Sequence, residues 1–357
     1  MSNDWSQDFN KRTQATLQWL EKSIQTTDYQ GSSAYYHLIK GWSLTYPETT
    51  GYIIETLFDY AKYLQQERWK NLAITCADWL CSIQRPDGAF PGGINTNADP
   101  IVFDTGQILF GLVRAFKETG DLKYKLTTER AVVWLINILE LDGSWQRYSY
   151  VPNYIPAYYT RVIWAILYAN EILKKDEIIA GMQLALNYYL QNITPQLSFK
   201  NWSFKPNESA YTHTIAYTLR GILESGILLN DERILTKATA VIDKLITIYK
   251  DKEKLAGKYD ENWNGDYTFE CVTGNAQMSI VLTRLFQLTG NVIYQEIALH
   301  IFQATFSRQW LIPLQGLYGA IPGSHPLWGA YQRFKFPNWA AKFYLDAYLL
   351  LYKVTSE

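Results

Sequence analysis

Six segments of the chain begin alike, with a short polar and aromatic cluster that leads into an apolar helical pattern. The clusters are centred near Glu48, Asp104, Tyr158, Tyr211, Cys271 and Asn338, so successive gaps are 56, 54, 53, 60 and 67 residues. A period of this size is typical of a repeat architecture built from one supersecondary unit. Because equivalent ends of repeated helices lie on one face, polar residues that recur there are candidates for one shared site.

Apolar residues recur throughout at helical spacing, whereas strand alternation is hard to find. The pattern predicts an all-α chain with helices over residues 6–25, 48–65, 67–84, 105–119, 123–140, 157–174, 177–192, 211–229, 232–250, 272–289, 292–308 and 338–353. The helices pair into hairpins. The first helix of the later pairs carries small residues, which permit close packing in an inner ring, and the second carries the larger aliphatic and charged residues of an outer ring. These small residues are Gly106, Gly111, Ala216, Gly221, Gly274, Ala276, Ala340 and Ala341.

Short and long connections alternate. The short ones place Asp121, Asp176 and Asp231 where a side chain can cap the next helix. The long ones cover residues 85–103, 141–155, 193–210, 251–270 and 309–336. Short loops on one face and long loops on the other indicate a scaffold that carries a site on the long-loop face. No linker or low-complexity segment divides the chain, so we expect a single domain over residues 1–357.

Twelve helices in six hairpins resemble the (α/α)6 toroid, or six-hairpin barrel, over nearly the whole chain. Gln84-Arg-Pro-Asp-Gly-Ala-Phe is similar to the Gln-x-x-x-Gly-x-Trp repeat of terpene cyclases and to turns of six-hairpin glycosidases. A second copy, Asp142-Gly-Ser-Trp, has Leu139 at the Gln position, and the Asp-x-Asp-Asp motif of triterpene cyclases is absent from the sequence. The resemblance implies a toroid of twelve helices in inner and outer rings, and we favour its carbohydrate-active branch.

The composition gives little reason to expect a charged partner. The net charge is -1 and only 19% of residues are charged, which argues against capture of nucleic acid or of an anionic membrane by overall charge. Aromatic residues reach 15%, with 13 Trp and 27 Tyr, and suit either stacking against sugar rings or a large helical core. No stretch approaches the ~18 apolar residues of a membrane span.

The cysteines and the N-terminus point to the cytoplasm. Met1–Phe9 lacks the basic start and apolar run of a signal peptide. The three cysteines are odd in number and have no metal spacing, as in a reducing compartment. Toroid enzymes of the lanthionine-cyclase and prenyltransferase kind hold zinc through Cys and His side chains. Cys271 and His213 would be the candidates here, but the second Cys or the Cys-His dipeptide of those enzymes is missing from this sequence. We expect no metal and no other cofactor.

Two carboxyl groups are the first candidates for chemistry. Asp104, in Ile101-Val-Phe-Asp-Thr-Gly-Gln, resembles the catalytic Asp that opens an inner helix in six-hairpin unsaturated glucuronyl and rhamnogalacturonyl hydrolases. Its apolar neighbours would raise its pKa as a general acid requires, although Asp before Thr-Gly is also an ordinary N-cap. Glu48 is the best partner for a pair ~5–10 Å apart, although the helix dipole also favours a first-turn Glu. Asp266 and Glu270 are weaker alternatives.

A second set suggests different chemistry. Toroid polysaccharide lyases use a Tyr or His base with an Arg, Asn or His that neutralises the uronate carboxyl. A set of this kind is formed by Tyr158, Tyr159, Arg161, His213 and Asn275. His213 between two threonines also suits a hydrogen-bonded cavity residue. Toroid epimerases use pairs of His, for which only His213 and His325 are placed.

The connection before the last helix is rich in Gly, Pro, aromatic and basic residues, and a loop of this length inside a compact domain is usually functional. We expect it to fold over the cavity mouth, although Trp328 and Tyr331 could instead plug the barrel. The candidates for substrate binding are Tyr36, Trp42, Tyr46, Gln107, Tyr158, Tyr211, Asn275, Gln277, Trp328, Tyr331, Arg333, Asn338, Trp339 and Lys342.

We therefore expect an enzyme that acts on an acidic or otherwise polar oligosaccharide or polysaccharide. Glycoside hydrolysis, with Asp104 as acid and Glu48 as partner, is favoured over uronate lyase chemistry and over epimerisation. The alternatives from other classes are an isoprenoid-type toroid with an apolar cavity, and a non-catalytic glycan-binding or scaffold protein of a polysaccharide-assembly system. The sequence leaves the oligomeric state open.

Overall fold

The computed structural model of the chain describes residues 8–356 and contains twelve α-helices within that range. They are α1 Phe9–Gln25, α2 Pro47–Leu64, α3 Glu67–Ile83, α4 Val102–Thr119, α5 Leu122–Asn137, α6 Thr160–Leu173, α7 Asp176–Leu190, α8 Thr212–Leu229, α9 Glu232–Lys252, α10 Val272–Thr289, α11 Val292–Phe306 and α12 Asn338–Ser356. Each matches a predicted helix. The predicted start of the first helix at residue 6, and most of the Met1–Phe9 segment considered as a leader, lie outside the described residues.

The helices form two concentric rings. The even-numbered helices pack against one another in chain order, and α12 packs against α2 to close the inner ring. The odd-numbered helices pack outside them, each against an inner partner. This is the (α/α)6 toroid, so the predicted fold class is confirmed.

Side chains of the last inner helix close the ring on the first. The Tyr60 hydroxyl of α2 donates to the Leu345 carbonyl at 2.8 Å. The Asn338 amide donates to Ser32 Oγ and to Thr49 Oγ1, both at 2.9 Å. Asn338, a predicted substrate-binding residue, is therefore fully buried in the junction that closes the ring.

Glycines let neighbouring inner helices approach to backbone contact. A Cβ atom on Gly111 of α4 would lie 2.2 Å from the Gly51 carbonyl oxygen of α2. Close backbone contact recurs from Gly221 to Thr160 and from Gly274 to Thr212 and His213, while Gly106 packs against the Val162 side chain. Four of the small residues predicted for the inner ring, Gly106, Gly111, Gly221 and Gly274, thus lie at helix crossings.

The long connections contain short antiparallel strands that the sequence did not predict, because two or three residues are too few to show alternation. They are β1 Tyr35–His37, β2 Gly41–Trp42, β3 Ala210–Tyr211, β4 Lys258–Tyr259, β5 Gly265–Asp266, β6 Glu270–Cys271, β7 Ser324–His325 and β8 Lys335–Pro337. Their sheet orders are β2-β1-β8, β3-β4-β5 and β6-β7. The β1–β8 pairing joins the connection before α2 to the one before α12.

The short connections lie at the opposite end of the toroid from the long ones. Asp121 and Asp231 cap α5 and α9 as predicted, by accepting from the backbone N–H groups of Lys123 and Arg233 at 3.0 and 2.9 Å. Asp176 instead lies in the first turn of α7, with Lys175 at the N-cap. No helix within residues 8–356 is long and apolar enough to cross a membrane.

The glycine crossings predict a stability effect. Gly111→Ala is expected to destabilise the protein by ~1–3 kcal/mol, because the new Cβ overlaps the α2 backbone and the helices must separate. Gly181→Ala on outer helix α7 is the matched control, since its Cβ would lie 3.6 Å from its nearest neighbour. Chemical denaturation measures both. Equal unfolding free energies for the two variants would show that the inner crossing is not tight.

Candidate active site

A cavity of about 520 Å³ lies at the N-terminal ends of the inner helices. Most of its wall is aromatic. The lining residues are Tyr46, Glu48, Thr49, Tyr52, Gly93, Ile94, Phe103, Tyr150, Tyr158, Phe204, Lys205, His213, Tyr217, Tyr331, Gln332 and Trp339. The inner helices provide Glu48, Thr49, Tyr52, Phe103, His213, Tyr217 and Trp339, and the long connections provide the rest. The predicted convergence of helix starts on one site is thus present for these side chains.

Glu48 is the carboxyl group on the cavity wall. It follows Pro47 in the first turn of α2 and is buried. Burial and the charge of Asp104 raise the pKa of Glu48 to about 8, although hydrogen bonds from Tyr46 and Tyr52 and the charge of Arg161 oppose the shift. Glu48 therefore holds a proton at neutral pH and can donate it to a bound molecule.

Asp104 lies behind the wall. Helix α4 begins at Val102 with Ile101 at the N-cap, so Asp104 is in the first turn and the N-cap interpretation is wrong. Its Oδ2 accepts from the Gly93 N–H at 2.7 Å and from the Tyr150 hydroxyl at 2.6 Å. Burial raises the pKa of Asp104 to about 7, against the lowering effect of those hydrogen bonds.

Two tyrosines connect the carboxyl groups. The hydroxyls of Tyr46 and Tyr150 lie 2.8 Å apart, and Tyr150 donates to Asp104. At the other end, Tyr46 interacts with Glu48 and opposes the rise in its pKa. Glu48, Tyr46, Tyr150 and Asp104 thus form one series of neighbouring polar groups, which we call the carboxyl relay.

His213 is on the opposite wall and is neutral. Burial, with a contribution from the charge of Arg161, lowers the pKa of His213 to about 3. The Gln277 amide nitrogen lies 2.6 Å from His213 Nδ1. In this amide orientation Nδ1 accepts, so the ring proton is on Nε2 and His213 is a hydrogen-bond donor rather than a base.

Arg161 lies beneath the cavity. Its guanidinium carbon is 4.8 Å from the Tyr217 ring centroid and 5.7 Å from that of Tyr52, and both rings line the cavity while Arg161 does not. Its Nε donates to Gln107 Oε1 at 2.5 Å. Arg161 therefore acts on Glu48 and His213 through its charge, at a distance from a ligand in the cavity.

The structure divides the predicted site residues. Glu48, His213, Tyr46, Tyr158, Tyr331 and Trp339 line the cavity, and Asp104 joins them through the carboxyl relay. Buried below or beside it are Arg161, Tyr159, Gln107, Gln277, Asn338 and Lys342, the last of which is paired with Asp346. Outside its lining are Tyr36, Trp42, Tyr211, Trp328 and Arg333.

Asn275 faces a different cavity. This second cavity, of about 310 Å³, also borders Glu270, Tyr249 and His300. Glu270 forms a salt bridge with Arg308 at 3.0 Å there. Asn275 and Glu270 are therefore not part of the central cavity.

The long connection before α12 contributes Tyr331 and Gln332 to the wall, as expected of a segment at the mouth. The Tyr331 hydroxyl accepts from Trp339 Nε1 at 2.8 Å, which fixes both rings. Trp328 is exposed, so the interpretation that it plugs the barrel is wrong, whereas Tyr331 is buried.

Several lining residues were not predicted. Tyr52 and Tyr217 lie four residues after Glu48 and His213, so the one-turn spacing on the inner helices would have indicated them. Tyr150 and Lys205 come from irregular connections and carry no periodic signal. Among the described residues, no group of three His, Cys, Asp or Glu side chains is placed to hold a metal ion.

The fold is shared with enzymes of known structure. The chain matches an unsaturated glucuronyl hydrolase specific for heparin with a TM-score of 0.78 at 16% identity, covering 100% of this chain and 99% of that one. It matches a D-mannose isomerase with a TM-score of 0.75 at 11% identity, covering 97% of both chains. It matches the cellobiose 2-epimerase of Bacillus thermoamylovorans B4167 with a TM-score of 0.71 at 12% identity, covering 98% of this chain and 100% of that one. No protein-family model and no curated protein matches the sequence.

The carboxyl relay predicts a measurable coupling. Asp104→Asn is expected to lower the pKa of Glu48 below about 8, because the charge of Asp104 raises it. Carbon-13 NMR titration of glutamate-labelled protein measures the shift, with Glu48→Gln to assign the signal. The control is Asp99→Asn, which removes an exposed carboxyl group from the connection just before α4. If the pKa of Glu48 were unchanged in Asp104→Asn, the two carboxyl groups would not be coupled and the prediction would be wrong.

Proposed function

We propose that the protein is an enzyme that hydrolyses a glycosidic bond, with the carboxyl relay as its catalytic machinery. The observation that carries the proposal is the pair of buried carboxyl groups with raised pKa values, joined through two tyrosines at the wall of an aromatic cavity. Aromatic faces suit stacking against sugar rings. The similarity in fold to enzymes named as a glucuronyl hydrolase, a mannose isomerase and a cellobiose epimerase supports a carbohydrate substrate.

The reaction requires one protonated and one ionised carboxyl group. Glu48, which lines the cavity and has the higher pKa, donates its proton to the glycosidic oxygen as the bond to the anomeric carbon breaks. A water molecule attacks that carbon and releases a proton, which passes through the Tyr150 hydroxyl to Asp104. The chain through Tyr150 and Tyr46 then returns this proton to Glu48.

These roles reverse the sequence-based hypothesis, in which Asp104 was the acid and Glu48 its partner. Glu48 is the carboxyl that a substrate can contact, whereas Asp104 is enclosed by Tyr150 and the Gly93 backbone. Burial raises the pKa of both carboxyl groups, and the charge of Asp104 adds to the rise at Glu48.

Lys205 supports the acidic substrate class favoured from the sequence. Its exposed ammonium group lies at the cavity lining, and the N-terminal ends of the inner helices add positive potential there. A sugar that carries a carboxylate or sulfate group would bind more strongly because of both the Lys205 charge and the helix potential. A neutral sugar would be held by the aromatic wall alone.

The alternative chemistries have less support. A uronate lyase of the kind considered from the sequence would use Tyr159 and Arg161 at the substrate, but neither residue lines the cavity. An epimerase that uses two His residues would need a second one in the cavity, and His325 is an exposed residue of β7. An isoprenoid-type cavity would lack the paired carboxyl groups, and a binding protein would not need their raised pKa values.

Substitution of Glu48 is the direct test. Glu48→Gln is expected to lower kcat at least ~100-fold, because the amide keeps the shape of the side chain but cannot donate a proton to the leaving group. Turnover is followed by mass spectrometry on a panel of acidic oligosaccharides. Glu270→Gln, which alters a carboxyl of the second cavity, is expected to retain activity.

Two results would contradict the assignment. Full turnover by Glu48→Gln would show that Glu48 is not the general acid. A product that absorbs in the near ultraviolet would contain a new double bond and would indicate a lyase instead.

The pH profile tests the order of protonation. The rate is expected to fall below pH about 7, where Asp104 is protonated and cannot accept a proton, and above pH about 8, where Glu48 is ionised and cannot donate one. The measurement is kcat/KM between pH 5 and 10 at constant ionic strength. A profile that keeps rising above pH 8 would contradict the role of Glu48 as acid.

A further inference from the structure

Exposed apolar side chains gather on one part of the long-loop face. We call them the rim patch and define it as Leu38, Ile39, Leu44, Ile312, Leu314 and Trp328. Ile39, at the tip of the β1–β2 hairpin, is 84% exposed, and Trp328 is 64% exposed. A contiguous group of exposed apolar residues commonly marks an interaction surface.

Backbone hydrogen bonds bring two of the three segments of the rim patch together, and the third, which carries Ile312 and Leu314, lies near β1 because Gly316 packs against the Tyr36 ring. The Leu38 N–H donates to the Phe334 carbonyl at 2.9 Å, and the Phe334 N–H donates to the Leu327 carbonyl at 2.9 Å. Strand β1 pairs with β8 in the same region. The hairpin tip and Trp328 are therefore held in a fixed relation to each other.

The rim patch borders the cavity. The connection that carries Trp328 also carries Tyr331 and Gln332, which line the central cavity. A surface that binds the rim patch would therefore lie next to the cavity mouth.

The two stretches of sequence that carry the rim patch are basic. Residues 29–47 and 297–345 contain no Asp or Glu, although the whole chain has a net charge of -1. Lys40, Arg333 and Lys335 lie in these stretches, and within the described part of the chain none of the three forms an ion pair. These two segments are therefore basic although the charge of the whole chain is nearly balanced.

We propose that the rim patch docks on an anionic lipid surface. Protruding aliphatic and Trp side chains beside basic residues are what an interfacial contact requires, since the apolar groups enter the acyl boundary while the cations meet acidic headgroups. A second copy of the chain fits less well, because a two-fold contact through this patch would bring Lys40, Arg333 and Lys335 close to their own equivalents. The proposal does not depend on the reaction proposed for the cavity.

Vesicle flotation of the full chain tests the proposal. Vesicles of equal parts phosphatidylcholine and phosphatidylglycerol are expected to bind the protein at least ~10-fold more strongly than phosphatidylcholine alone, from three basic side chains at the surface. Added salt is expected to weaken this binding. No binding, or equal binding to the two kinds of vesicle, would overturn the proposal.

Variants locate the contact. Ile39→Ser and Trp328→Ser are each expected to weaken binding to the mixed vesicles by ~10-fold through the lost apolar burial. Leu122→Ser is the matched control, because Leu122 is 63% exposed at the start of α5, on the short-loop face. Circular dichroism confirms that each variant is folded.

Two further outcomes would overturn the proposal. One is an equal loss of binding in Leu122→Ser. The other is a dimer in sedimentation velocity that Ile39→Ser dissociates, which would make the rim patch a contact between two copies of the chain.

Discussion

Backbone contact between neighbouring inner helices is the constraint on which the rest of the structure depends. At Gly111 and Gly274 the backbones are too close for even a methyl group. A ring this tight has a narrow axis, and only the first turns of its helices surround open space. The chemistry of the site is therefore confined to a few positions per helix start, and this is why Glu48 and His213 lie on the same cavity although 165 residues separate them.

The same tightness separates the site into layers. Glu48, Phe103 and His213, in the first turns of their helices, line the cavity, and Tyr52 and Tyr217, one turn deeper, form its floor. Below them the axis is filled, so Arg161 is enclosed by aromatic rings and its charge reaches Glu48 and His213 only through space. Burial is the main cause of the low pKa of His213, and the charge of Arg161 adds to it and opposes the rise in the pKa of Glu48. A residue can thus influence the protonation of a site without contact with a ligand.

The fold was predictable because it rests on regular quantities, namely the helical period, the repeat length and the small residues at inner-helix crossings. Membership of Glu48 and Asp104 in one network was also predictable, since both begin inner helices. The direction in which a side chain points was harder to predict. On α10, Gly274 contacts α8 and Gln277 reaches His213, so Asn275, rotated by about 100° from Gly274, faces a different cavity. Tyr150 lies in an irregular connection, where no period indicates a position.

Tyr150 decides what Asp104 can do in the proposed reaction. Without this hydroxyl, a fully buried carboxyl group behind the wall would have no route for proton exchange with the cavity. With it, the proposed reaction lets Asp104 accept a proton without contact with the substrate, and the charge of Asp104 adds to burial in raising the pKa of Glu48. Recognition and protonation are then controlled by different residues, the first by the aromatic wall and Lys205, the second by the carboxyl relay. A toroid can change its recognition residues without changing the residues that control protonation. The same ring is therefore compatible with the isomerase, epimerase and hydrolase named among its structural neighbours. The reaction depends on the side chains at the helix starts and not on the ring itself.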